Sequence, residues 1–133
     1  MHFVCNIVGA REVFTGDLWV SAFAEYTSTL FFVFVVSGSS LRWEGTPSIV
    51  KISLAAGLAM AAITQAFRWI SRPLVHVNPC VSLASFLSGD TGLVAMAIYI
   101  VVQCFGGNVL FILLVGISLS YTIRNENARS ESK

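Results

Sequence analysis

The chain has 133 residues, of which 56% are hydrophobic and only 11% charged, and its mean hydropathy is +0.78. A soluble domain carries about 25% charged residues, and one core of this size cannot hide so much apolar surface, which excludes both a soluble globule and a disordered chain. The net charge of +1 gives no electrostatic case for nucleic acid, and Cys5, Cys80 and Cys104 have no spacing, with each other or with His2 and His76, that suits a disulfide framework or zinc.

Residues 1–17 read as a polar lead-in. Ala22-Phe23-Ala24 has the look of a signal-peptidase site, but Arg11, Glu12 and Asp17 interrupt the stretch before it, and a basic-then-apolar order is missing. A helix needs about 20 mostly apolar residues to cross a bilayer. Three segments meet that need: residues 18–41, 49–70 and 92–121. Glu25 falls inside the first. A carboxylate there is costly and normally functional, unless it sits near the interface and snorkels to water. In the second, Ser53, Gly57 and Ala61 recur every four residues, the small-xxx-small spacing that lets helices pack closely in lipid. Gln103 in the third is an interhelical hydrogen-bonder. Residues 124–133 form a polar tail of alternating charge, expected to be disordered.

Between the second and third spans, residues 73–89 are apolar but too short to cross, and Asn78-Pro79 interrupts them. Asn is a strong N-cap and Pro favours the first helical position, so a helix of about ten residues starts at Pro79 and ends near Ser88-Gly89. Ten residues rise about 15 Å, half the hydrocarbon thickness. Such a half-helix, entered through a non-helical stretch, is a re-entrant element. Its backbone is tolerated only where it lines a cavity or is buried in protein, and its N-terminus points partial positive charge there.

His76-Val77-Asn78-Pro79-Cys80-Val81-Ser82-Leu83 resembles the first signature box of the aquaporins, the major intrinsic protein family, usually Asn-Pro-Ala. Ala24-Glu25-Tyr26 followed by Thr29-Leu30-Phe31-Phe32-Val33-Phe34 is similar to the family's first helix. Val50-Lys51-Ile52-Ser53-Leu54-Ala55 with Gly57-Leu58 is similar to the second, and Tyr99-Ile100-Val101-Val102-Gln103-Cys104-Phe105-Gly106 to the third. The resemblance implies an all-α integral membrane protein: three transmembrane helices plus one re-entrant half-helix, half of an aquaporin-like fold. It implies that Asn78 donates a hydrogen bond to permeating molecules, that Pro79 starts the half-helix, that Val81 is an apolar wall, and that Glu25 anchors the loop together with Gln103. His76 is either part of the cytoplasmic vestibule or a loop residue without solute contact. Cys80, in place of alanine, is a small apolar substitution or, less simply, a redox or metal residue.

Three departures from the family stand out. The chain holds three spans and one box where the family has six and two. The loop Ile70-Ser71-Arg72-Pro73-Leu74-Val75-His76 is two residues longer than the family's and lacks its glycine. The second-span position that is Phe in water channels and Trp in glycerol channels is Ala56, which would widen a constriction. On the family's topology Arg11, Arg68 and Arg72 lie inside and Arg42, Lys51, Arg124, Arg129 and Lys133 outside, against the positive-inside rule.

The resulting expectation is an aquaporin-like channel polypeptide for water or small neutral solutes, truncated to its first repeat. The alternatives are a non-conducting truncated product that associates with full-length channels, and an unrelated three-span membrane subunit. Expected partners are the lipid bilayer, the solute and channel subunits in a homo- or hetero-oligomer. The location is multi-pass, in the plasma membrane or an intracellular one. No triad, carboxylate pair, phosphate loop or metal cluster points to an enzyme, and no cofactor or metal is implied. Alkaline carbonate extraction of membranes is expected to leave the protein in the pellet; recovery in the soluble fraction would contradict the three spans.

Overall fold

The computed structural model describes residues 15–41, 48–71 and 75–131, and all regular structure among them is helical. The first helix, α1, runs Gly16–Ser40. Its N-cap, Thr15, is extended, and Asp17 in the first turn complements the positive helix end. The second, α2, spans Ile49–Phe67 and closes in a turn where Ile70 N–H donates to Phe67 C=O at 2.9 Å. The half-helix α3 covers Pro79–Leu87, nine residues, with Asn78 as N-cap. The last, α4, extends over Leu93–Glu131, 39 residues.

Packing follows from which residues are small enough to let helices meet. Leu18 and Ala22 of α1 share a core cluster with Ala95 and Tyr99 of α4. These residues lie near the start of each helix, so α1 and α4 are parallel neighbours. Ala24 of α1 and Ile63, near the end of α2, enclose Val75 and Val77 of the loop in a second cluster, so α2 runs antiparallel to α1. Gly89, at φ +86°, turns the chain from α3 toward α4, a conformation that costs glycine little. Ser85 then ties this turn to the half-helix. Its carbonyl accepts from Asp90 N–H at 3.0 Å, and its hydroxyl meets that of Thr91 at 2.7 Å.

At Gly106 the helices α1 and α4 approach closely. A Cβ there would lie 2.8 Å from the Tyr26 carbonyl oxygen and 3.3 Å from its ring. The Ser53, Gly57 and Ala61 stripe, expected to mediate such packing, instead lies exposed, with nothing within 4 Å of a Cβ at Gly57. The reason is angular. Ala59 and Ile63 are the buried residues of α2, and two positions along a helix is a turn of about 200°, which puts the stripe on the opposite side.

The polar tail also differs from expectation, since α4 continues unbroken to Glu131. No glycine or proline follows Gly116, and extending an existing helix adds one hydrogen bond per residue without a new nucleation cost. At 1.5 Å per residue α4 is about 58 Å long, nearly twice the hydrocarbon thickness. The expectations for the lead-in residues 1–14, including Arg11, and those for Arg42, Arg72 and Lys133 fall outside the described residues. The same is true of the loop insertion at Arg72, Pro73 and Leu74.

Large apolar side chains such as Phe23, Phe31, Leu54, Leu58 and Ile112 are exposed along the helices, a surface suited to lipid and not to water. Gly106→Ala must push α1 from α4, because the obstructing atom belongs to the backbone; overpacking of this kind costs about 1–3 kcal/mol. The expected result is a clear fall in melting temperature in detergent, while Gly116→Ala, which meets no atom within 4 Å, leaves it unchanged or raised.

Candidate functional site

The loop before the half-helix has to place backbone N–H groups inside an apolar bundle, where each unpaired group is costly. Glu25 meets that need. It is fully buried on α1, and its Oε1 accepts from His76 N–H at 2.6 Å while Oε2 accepts from Val77 N–H at 2.9 Å. Val77 has φ +58°, a left-handed conformation unusual for a β-branched residue. Strain of this kind costs about 1–3 kcal/mol and persists only where its surroundings enforce it. Here the two bonds to Glu25 and the packing of Val75 and Val77 against Ala24 and Ile63 do so. Ser28 and Thr29 turn their hydroxyls back onto the Glu25 carbonyl, at 3.1 and 2.8 Å, and project no competing donor toward the carboxylate.

A third donor reaches the carboxylate from α4. Gln103 Nε2 lies 2.8 Å from Glu25 Oε2 and 3.0 Å from Ser82 Oγ on the half-helix. Both amide protons are thereby used, and the carboxylate dictates which end of the amide faces it. Gln103 Oε1 is left buried without a partner. Ser82 Oγ also lies 3.0 Å from His76 Nδ1. Ser82 Oγ thus sits between the Gln103 amide and the His76 ring and hydrogen-bonds to both. The ring packs edge-on against Tyr99, centroids 5.7 Å apart. One polar network thus joins α1, the loop, α3 and α4.

The half-helix carries its cap in the same direct way. Asn78 is extended, its Oδ1 accepts from Cys80 N–H at 2.9 Å, and its carbonyl accepts from Val81 and Ser82 N–H at 3.0 and 3.1 Å. The cap holds the Asn78 oxygen toward the helix, so the Nδ2 donor group faces away from it.

The residues singled out in the sequence therefore divide into two sets. Glu25, His76 and Gln103 meet in the interior; Asn78, Cys80 and Val81 lie exposed at the start of α3, with Pro79 half-buried among them. Ala56 is half-buried on α2. Ser82 and Tyr99 were quoted in the sequence without a role. The available signal for Ser82 was a hydroxyl four residues after the cap in an otherwise apolar turn. Nothing in the sequence alone pairs Tyr99 with His76.

Parallel membrane helices with a capped half-helix held between them by a buried carboxylate define a membrane protein of the re-entrant-loop class. The chain belongs to the major intrinsic protein family, whose family model matches residues 12–133. Among curated relatives it is 35% identical over 121 residues to aquaporin-5 of Ovis aries, covering 90% of this chain and 43% of that protein. It is 38% identical over 96 residues to the lens fiber major intrinsic protein of the same species, covering 71% and 36%. Aquaporin-5 of Mus musculus is 32% identical over 120 residues, covering 90% and 42%. The chain spans less than half the length of these relatives. It is an integral membrane protein, and among the described residues three helices are long and apolar enough to cross.

Glu25→Leu leaves three donors facing apolar side chain, whereas Glu25→Gln keeps one acceptor oxygen. Each buried partner lost costs about 1–3 kcal/mol. Both variants are expected to melt earlier in detergent, leucine markedly more so; a leucine variant as stable as the wild type would contradict the clamp.

Proposed function

We propose that the chain forms the first half of an aquaporin-like channel for water or small neutral solutes. The observation that carries this reading is the cap at Asn78. With Oδ1 engaged by Cys80 N–H, its amide protons stand at an exposed point where the half-helix presents its positive end. A neutral hydrogen-bonding molecule is served by that donor, and a cation is repelled by the helix dipole. Pro79 fixes the start of the helix, and Val81, exposed on its first turn, supplies an apolar wall that gives a solute no competing bonds. Glu25 and Gln103 act as anchors of the loop. His76 is a structural member of the anchor, with its backbone contributing to the vestibule. Ala56 leaves room where the family places an aromatic residue, which favours a wider passage. Membership of the family and relatives named aquaporin support the same reading.

The second reading, a chain that associates with other channel subunits without conducting by itself, is favoured by the open face of α2. Ser53, Gly57 and Ala61 lie exposed there, and small residues at four-residue spacing suit a further helix.

The two readings meet in one assay. The 133-residue polypeptide, reconstituted alone into proteoliposomes with its insertion verified, is expected to leave osmotic water permeability at the lipid background. A single half-helix has no counterpart to complete a constriction, and three spans leave one wall open to lipid. Rebuilding six spans from two copies needs the second inverted in the membrane. Permeability well above background that Asn78→Asp abolishes would overturn the expectation and establish a pore built from copies of this chain.

A further inference from the structure

Of the nine residues of the half-helix α3, only Ser82 is buried, at 0% exposed. The large apolar residues of α3 turn outward, with Val81, Leu83 and Leu87 at 42%, 47% and 75% exposed. In water the hydrophobic effect would turn such a helix until those side chains were covered. In a bilayer that force is missing, because lipid tails are as apolar as leucine. Apolar contact alone therefore does not fix which way α3 faces.

The Ser82 hydroxyl does distinguish one orientation from the others. Its Oγ accepts from Gln103 Nε2 of α4 at 3.0 Å and hydrogen-bonds with His76 Nδ1 of the loop, also at 3.0 Å. Turning α3 about its axis breaks both bonds together. It leaves a hydroxyl, an amide proton and a ring nitrogen without partners in an apolar interior, where each is costly. The other end of α3 is tied to the turn that follows it, through the Ser85 and Thr91 hydroxyls at 2.7 Å. Two positions along a helix is a rotation of about 200°. Cys80 and Ala84 accordingly stand on the side away from Ser82, and both are exposed.

We propose that Ser82 is the positioning residue of the half-helix: its hydroxyl sets the rotation of α3, and with it the direction in which the Asn78 amide and the first turn face. Its importance for a solute pathway rests on the channel reading above. Glu25 binds the backbone of His76 and Val77, which fixes where the helix starts; the Ser82 hydroxyl fixes how it is turned. Asn78 is exposed and Ser82 fully buried. Presenting a donor and aiming it are thus divided between two residues one turn apart, and the one that aims never touches the solute.

The exposed thiols of Cys80 and Cys104 are attachment points for a nitroxide spin label. Two single-cysteine chains, one keeping Cys80 (Cys5→Ser, Cys104→Ser) and one keeping Cys104 (Cys5→Ser, Cys80→Ser), are labelled and placed in lipid nanodiscs. In the Cys80 chain, Ser82→Ala and Ser82→Val are expected to shift the electron paramagnetic resonance spectrum toward fast motion. Ser82→Thr has the shape of Ser82→Val but keeps the hydroxyl, and should restore the parent spectrum. The label on Cys104 should report no change in any of the three. Leu114→Ala removes a buried side chain of α4 about three turns beyond Gln103. It should lower the melting temperature without moving the Cys80 spectrum, which separates loss of aim from loss of stability. Identical Cys80 spectra for Ser82→Thr and Ser82→Val would overturn the proposal. So would a Cys104 spectrum that shifts as far as that of Cys80, or a Leu114→Ala chain as mobile at Cys80 as Ser82→Ala. No solute flux enters this measurement, so its failure leaves the channel reading to the permeability assay.

Discussion

A carboxyl group buried away from water has to find hydrogen-bond donors within the protein. Glu25 is satisfied by three: two backbone N–H groups from the loop and one amide from α4. Hydrogen bonds to a charged group contribute about 1.5–3 kcal/mol each, and here each also performs a positional task. The backbone pair keeps Val77 in its left-handed conformation. The carboxylate sets the orientation of the Gln103 amide, whose second proton reaches Ser82, and Ser82 in turn hydrogen-bonds the His76 ring. The half-helix is therefore held by a connected set of hydrogen bonds that starts at one side chain of α1. The unpaired Gln103 Oε1 is the cost of that arrangement: an amide committed at both protons has its oxygen wherever the geometry leaves it.

The packing around this network is correspondingly tight on one side and open on the other. Between α1 and α4 the backbones approach until a methyl group no longer fits at Gly106. On α2 the small residues face outward. The chain thus concentrates its close contacts where the polar network must be held to within tenths of an ångström. It leaves broad apolar surface elsewhere, which in a bilayer costs nothing, because lipid tails are as apolar as leucine.

Much of this was legible in the residue order. Charge-free runs mark the spans, and Asn78-Pro79 marks a helix start inside an apolar segment, since the cap and the missing proline N–H are local chemistry. What stayed hidden is what depends on the third dimension. Gly106 and Gly57 look alike in sequence, and only the rotation of each helix decides which one meets a backbone. Ser82 reads as an ordinary small polar residue until α4 brings Gln103 beside it. The tail reads as disordered from composition, yet it inherits helical order from the apolar span before it, an effect that a window-by-window reading does not see.

The clamp also has a history written into its spacing. Glu25 is 51 residues ahead of His76 and 78 ahead of Gln103. At a synthesis rate of 5–20 residues per second, α1 emerges on the order of 4–16 s before its last donor exists. During that interval its carboxylate has none of the partners that later hold it. The cellular insertion machinery must therefore keep the first helix in a wet or protein-shielded place until the loop, and then α4, arrive. The residue that organises the finished structure is, for the newborn chain, the hardest one to put into a membrane.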